Sequence, residues 1–307
     1  MAKAKSNVLV VSLGGTITSE VDSGIVKQSG FYWDASFFES LDDRFIYTTA
    51  APSRYSSENA TVSDYRRAIG GIVSAVSSTE PEGVLILHGT DSIAYFAQLA
   101  IRAMSFLNVP VIITGSKLPP SNRSSDAISN VKLALGFLGA AIEGKTGCKT
   151  FGVVFNDSFT GESTFVHASS VTSPDISGDI KPFMDPAAKK KIDFRSDYKK
   201  RAEAYLAGGG VVSDILVIPS CPGFPFDSVS LDGIGAVVIE SYHSGTADSH
   251  KLPELVRKAV AQGIPCYLGP VPSKGNIYES RTVLEKVGVR TLSGMPFEGC
   301  WAEAALG

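Results

Sequence analysis

Residues 83–97 read GVLILHGTDSIAYFA, an apolar run that breaks at once into His88, Gly89, Thr90, Asp91 and Ser92 before a helix-like pattern begins. Val84 to Leu87 are continuously apolar and rich in branched side chains, the pattern of a strand buried on both faces of a parallel sheet. VLVVSLGGTI (8–17) repeats the arrangement, an apolar run ending in two glycines and a threonine. In open α/β sheets ligands bind beyond the carboxyl ends of the strands. Both polar clusters are therefore expected on one ligand-binding edge.

Further runs of the same type are VIIT (111–114), FGVVF (151–155), ILVI (215–218), AVVIE (236–240) and the CYLG region (266–269). Helical patterns separate them: 63–78 with Ser63 as a candidate N-cap, 92–107, 129–142, and 252–263 ending in a glycine C-cap. Strands alternating with helices predict an α/β fold. The expected form is a larger N-terminal, mostly parallel open sheet flanked by helices, plus a smaller C-terminal α/β domain. Pro, a charge run and three consecutive glycines interrupt the pattern, which predicts a catalytic domain over 1–185, a linker over 186–210 and the smaller domain over 211–307.

Composition narrows the function classes. The 307 residues are 44% hydrophobic and 19% charged, as in a chain with a real core. A net charge of −3 gives no electrostatic footprint for nucleic acid, and the lysine-rich clusters at 189–191 and 199–201 read as solvated linker. Cys148, Cys221, Cys266 and Cys300 are widely spaced and read as free buried thiols. No metal-ligand spacing is found. The apolar stretch after Lys5 is about seven residues long, too short for a signal peptide, and no run approaches the ~20 residues that span a bilayer. A cytoplasmic protein without membrane partners is expected.

Paired glycines let backbone approach a ligand and leave N–H groups for an anion or oxyanion, although GGT alone is also a common tight turn. Neither a dinucleotide fingerprint nor a Walker A loop is present. In HGTDS (88–92), Asp91 or Ser92 could cap the following helix. Alternatively, Thr90 and Asp91 could supply a hydroxyl and an orienting charge for nucleophilic catalysis, with the base still to be found. His88 reads as a structural residue of the strand end. Trp33 and Trp301 read as packing residues.

Taken in order, GGTI (14–17), SSEN (56–59), HGTD (88–91), ITGSKLPP with SSD (113–126), VVFND (153–157) and SYHSGTA (241–247) resemble the bacterial-type L-asparaginase family. The pattern is closer to its intracellular type I branch. The resemblance covers almost the whole chain. It implies hydrolysis of the side-chain amide of L-asparagine to aspartate and ammonia through an acyl-enzyme on threonine, with no cofactor and no metal. On matching positions Thr16 is the expected nucleophile, and Thr90 and Asp91 form a second catalytic group. Ser57 and Glu58 are expected to grip the α-carboxylate and α-amino ends of a small-molecule amide substrate. Gly15, Gly89, Ser116 and Thr246 complete the expected binding set. The resemblance further implies a homodimer or homotetramer whose active sites lie at subunit interfaces, with Thr246 or His243 reaching a neighbour.

Two departures stand out. The lysine that the family places after VVFND is absent, and Val166 or His167 falls at that point. His167 is the candidate base, because a histidine titrates near neutrality. The lid tyrosine is also absent: Ile25 and Val26 stand near its position, and Tyr32 follows a few residues later. These losses raise an alternative, a catalytically weakened relative that binds an amino acid as a sensor or partner protein. Ser57-Glu58-Asn59 also resembles the amidase subunits of amidotransferases.

Overall fold

The computed structural model describes residues 4–28, 33–144, 151–156, 163–167, 198–208, 212 and 214–307, with only the backbone of 28, 156 and 163–167. The chain forms two compact units, Met1–Lys199 and Lys200–Gly307.

The first unit contains β1 (Ser6–Ser12), β2 (Ser19–Asp22), β3 (Ile25–Gln28), α1 (Ala35–Leu41), β4 (Phe45–Ala50), α2 (Val62–Thr79), β5 (Gly83–Leu87), α3 (Ile93–Ala103), β6 (Val111–Thr114), α4 (Ala127–Ile142), β7 (Phe151–Asn156) and β8 (Ser163–His167). Its main sheet has the order β4-β1-β5-β6-β7-β8. Every pairing in it is parallel except β7 with β8. Strand alternation divides the core. Val8, Val10, Leu85, Leu87, Ile112 and Val154 pack with α4 and with Phe38 and Tyr47. Leu9, Val11, Val84, Ile86 and Ile113 are equally buried at the alternate positions. Truncating one of these leucines to alanine would cost about 2–5 kcal/mol.

The expected strands are present, but ILVI (215–218) is not buried throughout: it is an edge strand of the second sheet, and only Ile218 in it is buried while Val217 is exposed. In the first unit β4 joins them as an element with no counterpart in the apolar runs. It is an edge strand whose buried Phe45 and Tyr47 alternate with exposed residues, so its sequence lacks a continuous apolar signal. The N-cap of α2 is Thr61 and not Ser63: the Thr61 hydroxyl accepts from Asp64 N, and the Asp64 carboxylate accepts from Thr61 N. This reciprocal capping box outcompetes Ser63, which lies inside the helix. The β2–β3 hairpin turns through Ser23 and Gly24, at φ 53° and 79°. Two consecutive left-handed residues suit the twist of a two-residue hairpin loop.

The second unit holds α5 (Tyr198–Leu206), which starts at its boundary, then β9 (Asp214–Ile218), β10 (Ile234–Glu240), α6 (Leu252–Ala261), β11 (Cys266–Val271), α7 (Glu279–Lys286), β12 (Val289–Ser293) and α8 (Phe297–Leu306). Its parallel sheet has the order β12-β11-β10-β9. Residues of α6 and α7 pack with Val237, Ile239 and Leu268, and Cys300 and Ala304 of α8 pack with Ala236, Val238 and Tyr267. As expected, a left-handed glycine, Gly263 at φ 76°, follows α6.

Part of the stretch read as linker is helical. Arg201 of α5 donates to Glu303 Oε2 at 2.8 Å, to Glu303 O at 3.0 Å and to Gly307 O at 2.8 Å. One guanidinium thus neutralises a buried carboxylate and satisfies carbonyls at the end of α8. Cys221, Cys266 and Cys300 form no disulfide, but Cys221 is exposed instead of buried, because it sits in the loop after β9. Cys148 lies outside the described residues. Among the described residues no helix is long and apolar enough to cross a membrane.

Candidate active site

Four segments converge at the carboxyl ends of β1, β5 and β6. Leu13 N donates to Leu87 O, and Tyr55 N donates to Leu13 O. These bonds draw the segment before Ser57 across the first strand. A β-carbon built on Gly15 would overlap Gly89, and one on Gly89 would strike the Ser57 side chain. One on Gly115 would lie 2.5 Å from His88 O and 3.4 Å from Thr90 Cγ2. Glycines are required here because backbone packs on backbone. The turns carrying Thr16, Ser57 and Ser116 therefore each lie against the turn that carries Thr90.

Each turn is pinned from behind. The Gly15 carbonyl accepts from Thr18 N at 3.0 Å, Thr18 Oγ1 at 3.2 Å and Ser19 Oγ at 2.9 Å. Thr16 follows it at the head of a 3-10 turn and is half-buried. Ser116 is buried, and its hydroxyl donates to Leu118 O at 2.8 Å. The buried Asp126 carboxylate accepts from Lys117 N, Leu118 N and Asn130 Nδ2, while Asn130 also donates to Gly115 O. Asp126 thus folds the loop after β6.

The alternative that Asp91 or Ser92 caps α3 is settled by geometry. Neither side chain caps it, although Ser92 occupies the N-cap position. The Ser92 hydroxyl donates to Ser57 O at 2.6 Å, and Ser57 Oγ donates to Asp91 Oδ2 at 3.1 Å. Two side chains of HGTDS are thereby spent on holding the Ser57 turn. Asp91 is exposed, Thr90 is half-buried and Ser57 is buried, while Glu58 in the same turn as Ser57 is exposed. An exposed carboxylate beside hydroxyls and glycine backbone can receive an ammonium group.

Behind this edge lies a buried aromatic nest. His88 is fully buried, its ring stacked on Phe96 at 4.6 Å with Tyr55 and Tyr65 against it. Burial pushes its pKa down to about 4, so the imidazole is neutral. Sequence reasoning misses this nest, because its four rings come from four separate segments and His88 alone reads only as structural.

The remaining expected residues are placed as follows. Ile25 and Val26 lie in β3, largely exposed. Tyr32 lies outside the described residues. Trp33 is buried and donates from Nε1 to Ile17 O at 2.8 Å, which fits its reading as a packing residue. His167 stands opposite Gly152 in the β7–β8 register, three strands along from β5, and its side chain is outside the described residues. Thr246, in the second unit, shares a hydrogen bond with Ser244 at 3.0 Å and with His243 lines an open cavity of about 820 Å³. Among the described residues no three His, Cys, Asp or Glu side chains cluster as a metal site would require.

Residues 7–186 match the family described as asparaginase, N-terminal. Among curated proteins the chain is similar to a glutamyl-tRNA(Gln) amidotransferase subunit from Methanopyrus kandleri, at 30% identity over 92% of this chain and 66% of that protein. The chain thus spans about two thirds of that relative's length. Among solved structures it is similar in fold to the thermostable L-asparaginase of Thermococcus kodakarensis, with TM-score 0.69 at 21% identity over 98% of this chain and 92% of that one. L-asparaginase I of Vibrio cholerae matches with TM-score 0.65 at 20% identity over 99% and 92% of the two chains.

Proposed function

The chain belongs to the asparaginase family, and from that premise we propose that it is an amidohydrolase cleaving the side-chain amide of L-asparagine to aspartate and ammonia. The observation that carries this reading is the Ser57–Asp91 hydrogen bond beside the Gly15–Gly89 contact. Together these give an anchored carboxylate for the substrate's ammonium group next to two threonines on glycine turns.

In this reading the Thr16 hydroxyl attacks the amide carbon, and as the C–O bond forms its proton passes through water to the amide nitrogen that leaves. The tetrahedral oxyanion is held by backbone N–H groups of the converging turns. The C–N bond then breaks, and the amine leaves as ammonia after taking a proton. Water, activated through Thr90 and its base, hydrolyses the resulting ester and frees Thr16. Val166 or His167 falls where the family has its lysine, and His167 is our candidate for that base. Asp91, Ser57 and Glu58 hold the amino-acid end, with Gly15, Gly89 and Ser116 lining the amide end. The same reading makes the chain a cytoplasmic homodimer or homotetramer in which Thr246 of a neighbour completes each site.

Ammonia release from asparagine tests the proposal. Thr16→Ala and Thr90→Val should each lower kcat by on the order of 1,000-fold or more. No release above background on a panel of small amides would overturn it.

Two other readings have specific support. Similarity to the Methanopyrus kandleri protein favours an amidase component of an amidotransferase, for which glutamine would be hydrolysed in preference to asparagine. The absent lysine favours a weakened relative acting as a sensor, for which calorimetry would show tight binding of asparagine or aspartate without turnover.

A further inference from the structure

We propose that His88 is a positioning residue: as a neutral imidazole with its proton on Nδ1, it holds the Gly89 carbonyl and so sets the plane of the peptide that carries Thr90. The structural part stands on geometry alone, and its catalytic consequence rests on the amidohydrolase reading.

His88 is anchored by its own backbone, whose N–H donates to Thr114 O at 2.9 Å. Its Nδ1 lies 2.7 Å from Gly89 O, and its Nε2 lies 3.0 Å from the Tyr55 hydroxyl. A carbonyl oxygen can only accept, so Nδ1 carries the proton. In the neutral ring Nε2 is then an acceptor, and the Tyr55 hydroxyl donates to it. Each bond enforces the other.

The surroundings leave the ring little freedom to charge or to turn. Phe96 of α3 covers one face at 4.6 Å, and Tyr55 and Tyr65 stand against it at 5.5 and 6.1 Å. Of the titratable groups facing the ring, Tyr55 comes from the segment after β4 and Tyr65 from α2. The Tyr65 hydroxyl donates to Ser92 O at 3.2 Å. Burial lowers the imidazole pKa to about 4, opposed only partly by the Gly89 bond.

In a trans peptide the C=O and the following N–H point in opposite directions. Fixing the Gly89 carbonyl toward the buried imidazole therefore turns the Thr90 N–H away from it. The Gly15 carbonyl is pinned in the same way by Thr18 and Ser19. Both threonines thus follow a peptide whose carbonyl is held from behind. At Gly89 the holder is a single ring with one permitted tautomer.

The test begins on the unmodified protein with 15N-histidine labelling. Its four histidines keep the spectrum simple, and H88N assigns the signal that disappears. The expected signal shows a protonated Nδ1 and an unprotonated Nε2, unchanged from pH 8 to 5.5. The opposite tautomer, or titration near the ordinary histidine pKa of about 6.5, would overturn the proposal.

Two variants then separate positioning from packing. Asparagine can place an amide donor near the Nδ1 position, whereas glutamine reaches toward Nε2 and Tyr55. H88N should keep the Thr90 amide resonance near its wild-type position and kcat within about tenfold. H88Q should shift that resonance and lower kcat on the order of 100-fold with little change in KM, as a misplaced reacting group does. Equal behaviour of the two variants in the Thr90 resonance would overturn the assignment. If the wild-type protein hydrolyses no amide, the amidohydrolase reading falls, while the tautomer and the Thr90 resonance still decide the role of His88.

Discussion

Gly15 and Gly89 meet backbone to backbone, seventy-four positions apart in the chain, and neither can carry a β-carbon without displacing a neighbouring turn. Gly15 also holds φ 83° and ψ −179°, a conformation open essentially to glycine alone. Gly15→Ala should therefore cost about 2–4 kcal/mol through strain and overlap together. Urea unfolding measures that cost, and amide turnover should fall with it. A variant of wild-type stability would show that the two turns are not held in contact.

Ser57 donates the hydrogen bond that orients the Asp91 carboxylate, and its carbonyl takes the Ser92 hydroxyl. Ser57→Ala removes the first bond and leaves the second. Stability should fall by about 1 kcal/mol, while binding of aspartate, read by calorimetry, weakens about tenfold because the carboxylate is no longer oriented. An unchanged affinity would place the amino-acid end elsewhere.

His88 gives stability a pH dependence of definite sign. Its folded-state pKa, about 4, lies below the ordinary 6.5. Between those values the unfolded chain binds a proton that the folded chain does not. The neutral ring's contribution is complete above about pH 6.5 and is lost as pH falls toward 4, by up to about 3 kcal/mol. In urea titrations the stability gap between wild type and H88N should narrow by about 2–3 kcal/mol from pH 7 to 4.5. Parallel pH dependences of the two proteins would contradict this.

Arg201 sets a guanidinium against the buried Glu303 carboxylate, whose side chain is 2% exposed. Arg201→Met leaves that charge buried without its guanidinium and should destabilise by about 3 kcal/mol. Replacing Glu303 by Met in the same chain should recover most of the loss, because the desolvation cost goes with the charge. Thermal unfolding of the single and double variants reads both effects.

His167 can be tested through the pH profile of turnover. As the base for Thr90 it must be neutral, so kcat should decline toward acid pH as the imidazole takes up a proton. His167→Ala should lower kcat by about 100-fold and abolish that acidic limb. His167→Lys should move the limb to higher pH. A His167→Ala enzyme with the wild-type profile would assign the base to another residue.

The sequence by itself determined the core strands, because residues buried on both faces must be apolar without interruption, and VLVV, VLIL and VIIT are. It also determined that GGT and HGTD emerge at one sheet edge, since that follows from parallel strands alone. Two edge strands were harder: β4 and β12 mix buried with exposed positions and leave no continuous apolar signal, whereas the edge strand β9 was legible as an apolar run although only Ile218 in it is buried. Only the tertiary structure decided what the polar residues do. Whether Ser92 caps a helix or holds Ser57, and whether Asp91 meets a helix amide or a hydroxyl thirty-four residues away, is invisible to local spacing. Both choices satisfy the same hydrogen-bonding groups. What selects between them is the close approach of glycine backbones that brings distant turns together. The His88 tautomer has the same origin, because it is set by Tyr55 and by the Gly89 carbonyl and not by any property of the histidine itself.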